Sequence, residues 1–245
     1  MIEIRHQNMF TTDDTKQAYN ELYDSGEIDL SDSYYLWILN LLRPQPNSLL
    51  VDISCGRGRL VQLATQKKVR TIGLDFSTRA VKTGKLTNPL IWWVVADGER
   101  VGLKSGCADY ITHIGNLEHY QNPDAGIREV SRVLKPDGIA RILLPNGFSL
   151  IGNIKHVAKT GDMFDDGQPL QRYNTRVGWE ELLTKNGLQI IRTVRYEHYF
   201  PKTIKDWIAH LKRPTRLFRW LFAWLVPFNL SNCFVYFCRR DEGGW

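Results

Sequence analysis

The segment Val51-Asp52-Ile53-Ser54-Cys55-Gly56-Arg57-Gly58-Arg59-Leu60 sets an acid near the end of an apolar run and then turns through two glycines into a helix-forming stretch. Glycine removes the Cβ that would keep a ligand off the backbone, and a helix N-terminus offers free N–H groups and partial positive charge to a carboxylate or phosphate. Two nucleotide chemistries compete for such a turn. A dinucleotide site asks for G-x-G-x-x-G, but Val61 stands at the third glycine position and Asp52 precedes the turn. A nucleoside cofactor other than NAD therefore leads, with NAD or a plain structural turn as alternatives. Two more acids, Asp75 in Gly73-Leu74-Asp75-Phe76-Ser77 and Asp97 in Val95-Ala96-Asp97-Gly98, close the next two apolar runs. One acid at such a place is often a turn former or helix cap, whereas three in register with a glycine turn point to a site.

These residues need a scaffold, and the pattern around them supplies one. Short apolar runs at 49–53, 69–74, 91–95, 110–114 and 139–144 alternate with helix-length segments, as in βαβ units around a parallel sheet. Ile127, Val130 and Leu134 recur at helical spacing before the breakers Pro136-Asp137-Gly138. Residues 1–46 read as an N-terminal helical cap or lid closed by Pro44 and Pro46, leaving 47–245 as the ligand-binding domain. The polar stretch 159–175 is too long for an ordinary connection and is expected to be functional or mobile. A helix over 178–186 and strands over 188–196 and 233–238 follow, the two strands separated by a basic, Trp-rich insertion at 201–230.

The glycine turn resembles motif I of the class I S-adenosylmethionine-dependent methyltransferases, D/E-x-G-x-G-x-G. Ser54 stands at the place of the first glycine, so the loop is expected to follow a path that tolerates a Cβ. The segment around Asp75 resembles motif II of the same family. The resemblance implies that Asp75 accepts hydrogen bonds from both ribose hydroxyls, that Asp97 meets the adenine amino group, and that Phe76 lies beside the ring. The stretch 108–120 resembles the fourth strand and its Leu117-Glu118-His119 ending, where family members place the reactive methyl. Residues 128–138 with Leu143-Leu144-Pro145-Asn146 resemble the next helix and strand of the small-molecule and glycan branches.

The resemblance runs from about Ser48 to Tyr196 and resumes in the last strand. It implies a Rossmann-like, doubly wound α/β sheet of seven strands, mostly parallel with an antiparallel last strand. The implied cofactor is S-adenosylmethionine, with S-adenosylhomocysteine as product. Its site would comprise Asp52, Ser54, Cys55, Gly56, Gly58, Asp75, Phe76, Asp97, Gly98, Ile114 and Gly115.

Methyl transfer from a sulfonium is an in-line displacement, so the protein mainly aligns the reactants and excludes water. For a hydroxyl nucleophile a base near the fourth strand helps. His119 leads as the catalytic residue because imidazole titrates near neutrality, with His113 and Glu118 behind it. Enzymes of this class that methylate nucleic-acid amino groups carry an Asn/Asp-Pro-Pro-aromatic loop here, whereas this chain has Ile114-Gly115-Asn116-Leu117-Glu118. Methylation of oxygen, or of carbon, on a small-molecule, lipid-linked or glycan-type acceptor is therefore expected, and nucleic acid is not. The rival readings are a non-catalytic scaffold that binds the same cofactor and an NAD-dependent oxidoreductase. The second lacks both the third glycine and an evident Tyr-x-x-x-Lys pair.

The chain of 245 residues is 43% hydrophobic and 24% charged, ordinary globular usage that excludes disordered and low-complexity classes. Four cysteines include no C-x-x-C pair and sit beside no histidine cluster, so neither a disulfide framework nor a metal site is expected. The net charge of +6 is concentrated in residues 201–240, where Lys202, Lys205, Lys212, Arg213, Arg216, Arg219, Arg239 and Arg240 face one acid, Asp206. The mixed-charge start lacks a secretory pattern and no apolar run reaches spanning length, so a cytoplasmic protein is expected. Basic residues interleaved with Trp and Phe over 212–228 suit peripheral contact with a membrane surface. Packing on the sheet or on a second subunit is the alternative, and the oligomeric state stays open.

Overall fold

Strands that are apolar on both faces need cover on both sides, and neighbouring residues of this sheet point into two different cores. The computed structural model describes residues 1–6, 11–25, 30–212, 221–241 and 243. In chain order the elements are β1 (Ile2–Arg5), α1 (Thr12–Ser25), α2 (Asp32–Leu42), β2 (Leu49–Ile53), α3 (Arg59–Thr65) and β3 (Arg70–Asp75). Then come α4 (Thr78–Thr87), β4 (Trp92–Val95), β5 (Ala108–Ile114), α5 (Pro123–Val133) and β6 (Leu134–Pro145). The elements α6 (Lys155–Thr160), β7 (Leu170–Tyr173), α7 (Arg176–Lys185), β8 (Leu188–Tyr196), α8 (Ile204–Leu211) and β9 (Cys233–Arg240) follow.

The main sheet has seven strands in the order β4-β3-β2-β5-β6-β9-β8. The first five are parallel, and β9 runs antiparallel to both β6 and β8. This is the doubly wound α/β sheet that the sequence pattern implies. Val51, Ile53, Ile142 and Leu144 face one core with Ile127 and Val130 of α5 and Trp179 of α7. Leu50, Leu143 and Val235 face the other, with Ile38, Leu39 and Leu42 of α2 and Leu60 and Leu63 of α3. Each such buried aliphatic side chain contributes roughly 1.5–3 kcal/mol of transfer free energy, so α2 belongs to the core.

The chain reverses its direction of travel across the sheet between β2 and β5, which opens a crevice at the carboxyl ends of those strands, where parallel sheets bind ligands. Asn116 bridges that point, its Nδ2 donating to the Ile114 carbonyl at 2.9 Å and the Ser54 carbonyl at 3.1 Å.

Two expectations need correcting. Residues 1–46 are not wholly helical, because β1 pairs antiparallel with β7, Ile2 opposite Tyr173 and Arg5 opposite Leu170. The same pairing places a strand inside the polar stretch 159–175. Four-residue strands are too short to show periodicity, and side chains far apart in sequence hold this pair. Buried Arg172 reaches Glu3 at 2.9 Å and donates to the Tyr120 and Gln121 carbonyls.

In the insertion, α8 docks on the start of α2. Asp206 Oδ2 accepts the Ser33 N–H at 3.0 Å, and the Lys202 N–H donates to Ser33 Oγ at 2.6 Å. Arg213, Arg216, Arg219 and Trp220, on which the membrane expectation leans, lie outside the described residues. The described flanks leave Ile204, Ile208, Leu211, Leu221, Trp224 and Leu225 exposed, Trp224 at 69%. No helix among the described residues is long and apolar enough to cross a membrane.

Candidate active site

Ser54, Gly56 and Gly58 have φ of 59°, 56° and 72°, so all three motif positions are left-handed. The expectation of a path that tolerates a Cβ at Ser54 is thus corrected: the loop keeps the glycine path there. For a residue with a Cβ this conformation costs roughly 1–2 kcal/mol. The offset is local. Ser54 Oγ lies 2.7 Å from the Tyr120 hydroxyl, which also lies 2.9 Å from His113 Nε2. The amides of the turn are not free donors, since Cys55 N bonds Leu74 O, Gly56 N bonds Asp75 Oδ2 and Gly58 N bonds Cys55 O.

The three acids stand at or just beyond successive parallel strands. Asp75 accepts the Gly56 N–H at 2.7 Å on one oxygen and the Ser77 N–H at 2.9 Å on the other. Each oxygen keeps a second lone pair for a ligand hydroxyl. Burial pushes the Asp75 carboxyl up to about 6 against those two bonds. Asp52 is pushed to about 7 by burial, opposed by the Thr112 hydroxyl at 2.6 Å and reinforced by the Asp75 charge. Asp97 accepts the Glu99 N–H at 2.9 Å.

Around these groups lie two neighbouring cavities. The first, about 510 Å³, is lined by Asp75, Phe76, Asp97 and Gly98. The second, about 630 Å³, is lined by Asp52, Cys55, Gly56, Arg57, Ile114 and Gly115. They share Tyr23, Ser54 and Asn116. Every expected cofactor residue lines one or the other except Gly58. A Cβ on Gly58 would meet the Trp93 indole, which also lies against Gly73 and Gly84, so this glycine makes room for a packed ring. Gly98 lines the first cavity, and a Cβ there would collide with Tyr120.

Sequence reasoning missed the cover. Tyr19 and Tyr23 of α1 line the first cavity, with Tyr19 5.5 Å from the Phe76 ring and its hydroxyl donating to Gln168 Oε1 at 2.6 Å. Their spacing of four residues puts both rings on one helix face, a signal that was available once the helix was placed.

A third cavity, about 1230 Å³ and open to solvent, lies beyond Gly115 and His119, which also line the second and first cavities respectively. His119 is buried, with Nδ1 2.5 Å from the Leu170 carbonyl and Nε2 3.9 Å from Glu118 Oε1. A carbonyl can only accept, so Nδ1 carries the proton and Nε2 the lone pair of the neutral ring. Burial lowers the His119 pKa below the usual histidine value, assisted by Arg172 and opposed by Asp166 and the Leu170 bond. Burial also pushes Glu118 up to about 8, with Asp166 adding to the rise. His113 faces Tyr120, and burial takes it down to about 3, which leaves it a neutral structural group.

Against this geometry the comparisons with known proteins agree. Residues 51–144 match the family described as a methyltransferase domain. A demethylmenaquinone methyltransferase of Corynebacterium kroppenstedtii is 32% identical over a segment covering 40% of this chain and 42% of that protein. A ubiquinone/menaquinone biosynthesis C-methyltransferase, UbiE, of a Caulobacter species is 31% identical over 40% of this chain and 44% of its own length. The matches therefore span less than half of either relative. A solved TehB-like methyltransferase of Corynebacterium glutamicum shares the fold, with a TM-score of 0.55 at 14% identity over 94% of this chain and 97% of that one. Residues 51–144 are thus similar to a methyltransferase domain, and the chain shares the fold of the solved S-adenosylmethionine-dependent methyltransferase. The cofactor this similarity implies is S-adenosylmethionine, and the buried acids beside the glycine turn are acceptors that suit its hydroxyls.

Proposed function

We propose that this chain moves a methyl group from S-adenosylmethionine to an oxygen, or a carbon, of a small-molecule acceptor held in the third cavity. The observation that carries the reading is the shared wall: Gly115 and His119 line both the acid-lined cleft and the cavity beyond it. S-adenosylmethionine, when bound, supplies an electrophilic methyl on a sulfonium. Asp75 and Asp97 orient a nucleoside by accepting hydrogen bonds, and Phe76 with Tyr19 excludes water from the ring. Nε2 of His119, unprotonated at neutral pH, takes the proton that an acceptor hydroxyl loses. Within residues 1–46 it is α1 that acts as the lid, since Thr15, Tyr19 and Tyr23 all come from it.

Transfer to a quinone ring carbon is a second reading, favoured by the names of the two relatives above. The exposed apolar side chains of α8 and the turns after it add a further proposal, peripheral docking on an anionic lipid surface. Sedimentation with phosphatidylglycerol vesicles tests it: Trp224→Ser with Leu225→Ser is expected to leave the protein in the supernatant, and unchanged sedimentation refutes it.

The transfer is tested by incubating a small-molecule extract with methyl-labelled S-adenosylmethionine and the purified chain. A labelled product by mass spectrometry that is lost with His119→Ala supports the reading. Cofactor binding without any labelled product favours the scaffold alternative.

A further inference from the structure

Four side-chain atoms among the described residues are buried without a hydrogen-bond partner: His113 Nδ1, Glu118 Oε2, Gln171 Oε1 and Ser231 Oγ. Two of these, both carbonyl-type oxygens, belong to residues lining the third cavity. Glu118 is 5% exposed and Gln171 3% exposed, so bulk water does not serve them. A buried acceptor left in that state costs about 1–3 kcal/mol, a cost removed by a ligand that brings O–H or N–H donors.

The rest of the lining is mixed, with Ile151, Phe164 and Tyr173 beside Lys155 and Lys159. Asn146, Asn153, Gln168 and Asn232 add four more carboxamides, whose oxygens can accept from a ligand. Several are fixed in place. Asn146 Nδ2 donates to the Ser231 carbonyl at 2.7 Å and the Asn229 carbonyl at 2.9 Å, while Asn153 Nδ2 donates to the Gly147 carbonyl at 3.3 Å. Polar side chains held rigidly in a concave wall suit an acceptor rich in hydroxyls, because each ligand hydroxyl both donates and accepts.

We propose that the acceptor is a polyhydroxylated, sugar-like molecule whose hydroxyls donate to Glu118 and Gln171 and whose remaining oxygens meet the surrounding carboxamides. The proposal rests on the methyltransferase reading of the same site and narrows its substrate class. It favours the hydroxyl-bearing acceptor of the two named above, because Glu118 Oε2 and Gln171 Oε1 call for donors and a quinone carbonyl only accepts.

Saturation-transfer NMR on the full chain, with and without S-adenosylhomocysteine, tests it. The probes are methyl glycosides of glucose, galactose, mannose and rhamnose, set against a soluble short-chain naphthoquinone. Saturation transfer to at least one glycoside is expected, together with at least about tenfold weaker affinity in Gln171→Leu. That variant removes an unpartnered oxygen, so its Tm is expected to stay level or rise, and its affinity for S-adenosylhomocysteine to change less than twofold. A general loss of folding would lower both, which separates the two explanations. Transfer to the naphthoquinone alone, or to no probe, overturns the proposal. Failure of S-adenosylhomocysteine to bind while a glycoside still binds would instead refute the methyltransferase reading and leave the sugar-binding cavity standing.

Discussion

The acid-lined cleft and the cavity beyond it meet at Gly115 and His119 but are assembled in opposite ways. Most of the cleft comes from the ends of three neighbouring parallel strands, β2, β3 and β5, and the loops after β3 and β4, within one continuous stretch of chain. The cavity draws on the β5 and β6 ends, the turn at Leu150–Ile154, β7, and the exit of the insertion at Asn232 and Cys233. The cleft can therefore be fixed by short motifs, while the cavity depends on contacts between distant segments and is free to diverge. On the proposed function, cofactor chemistry would belong to the first region and acceptor choice to the second.

Substitutions on either side of the shared wall test that division. Asp75→Ala is expected to have the largest effect, because it removes the buried carboxylate proposed to accept from the ribose hydroxyls. Losing two charge-assisted hydrogen bonds, each worth about 1.5–3 kcal/mol, should weaken S-adenosylmethionine binding at least about 100-fold by calorimetry. A Kd within fivefold of wild type would detach Asp75 from the cofactor.

His119→Ala comes next. Its expected signature is a kcat lowered about 10²–10⁴-fold with little change in cofactor Kd, because the base acts in transfer and not in binding. The acid limb of kcat/KM should fall below pH 6.5, since burial lowers the His119 pKa and the active form is the unprotonated ring. Activity is thus lost as pH drops through that value and held above it. An acid limb that survives in His119→Ala would assign the base elsewhere, Glu118 first.

Ser54→Gly should have the smallest effect. It relieves roughly 1–2 kcal/mol of left-handed strain but gives up the Tyr120 hydrogen bond, about 1 kcal/mol, and adds backbone entropy to the unfolded chain, about 0.4–1 kcal/mol. These terms nearly cancel, so denaturant unfolding is expected to move by less than about 1 kcal/mol. A larger shift in either direction would show that Ser54 does more than occupy a glycine position.

The same division explains what could be read in the sequence. The strand runs, the glycine turn and the acids Asp52, Asp75 and Asp97 were legible because each is a local pattern whose spacing follows from strand and helix geometry. Gly58 was read as a cofactor contact, yet its neighbour is Trp93, a packing partner brought in from another strand. A lid from residues 1–46 was expected and the Tyr19/Tyr23 spacing was readable on its helix, but the β1–β7 pair and the carboxamide lining around Gln171 were not legible. Both arise where segments distant in the chain come together, and no local periodicity encodes such a meeting.

The central claim is that the buried acids of β2 and β3 cradle an adenosyl sulfonium, and proton linkage reads it directly. In the free chain Asp75 titrates near about 6 and Asp52 near about 7, so both are partly protonated at pH 6. Hydroxyl donors and a positive sulfonium favour the ionised carboxylates and lower both values, so binding must release protons. Calorimetric titration of S-adenosylmethionine at pH 6, in two buffers of different ionisation enthalpy, should show one molecule bound per chain with net proton release. Absence of binding, or proton uptake, would contradict the account.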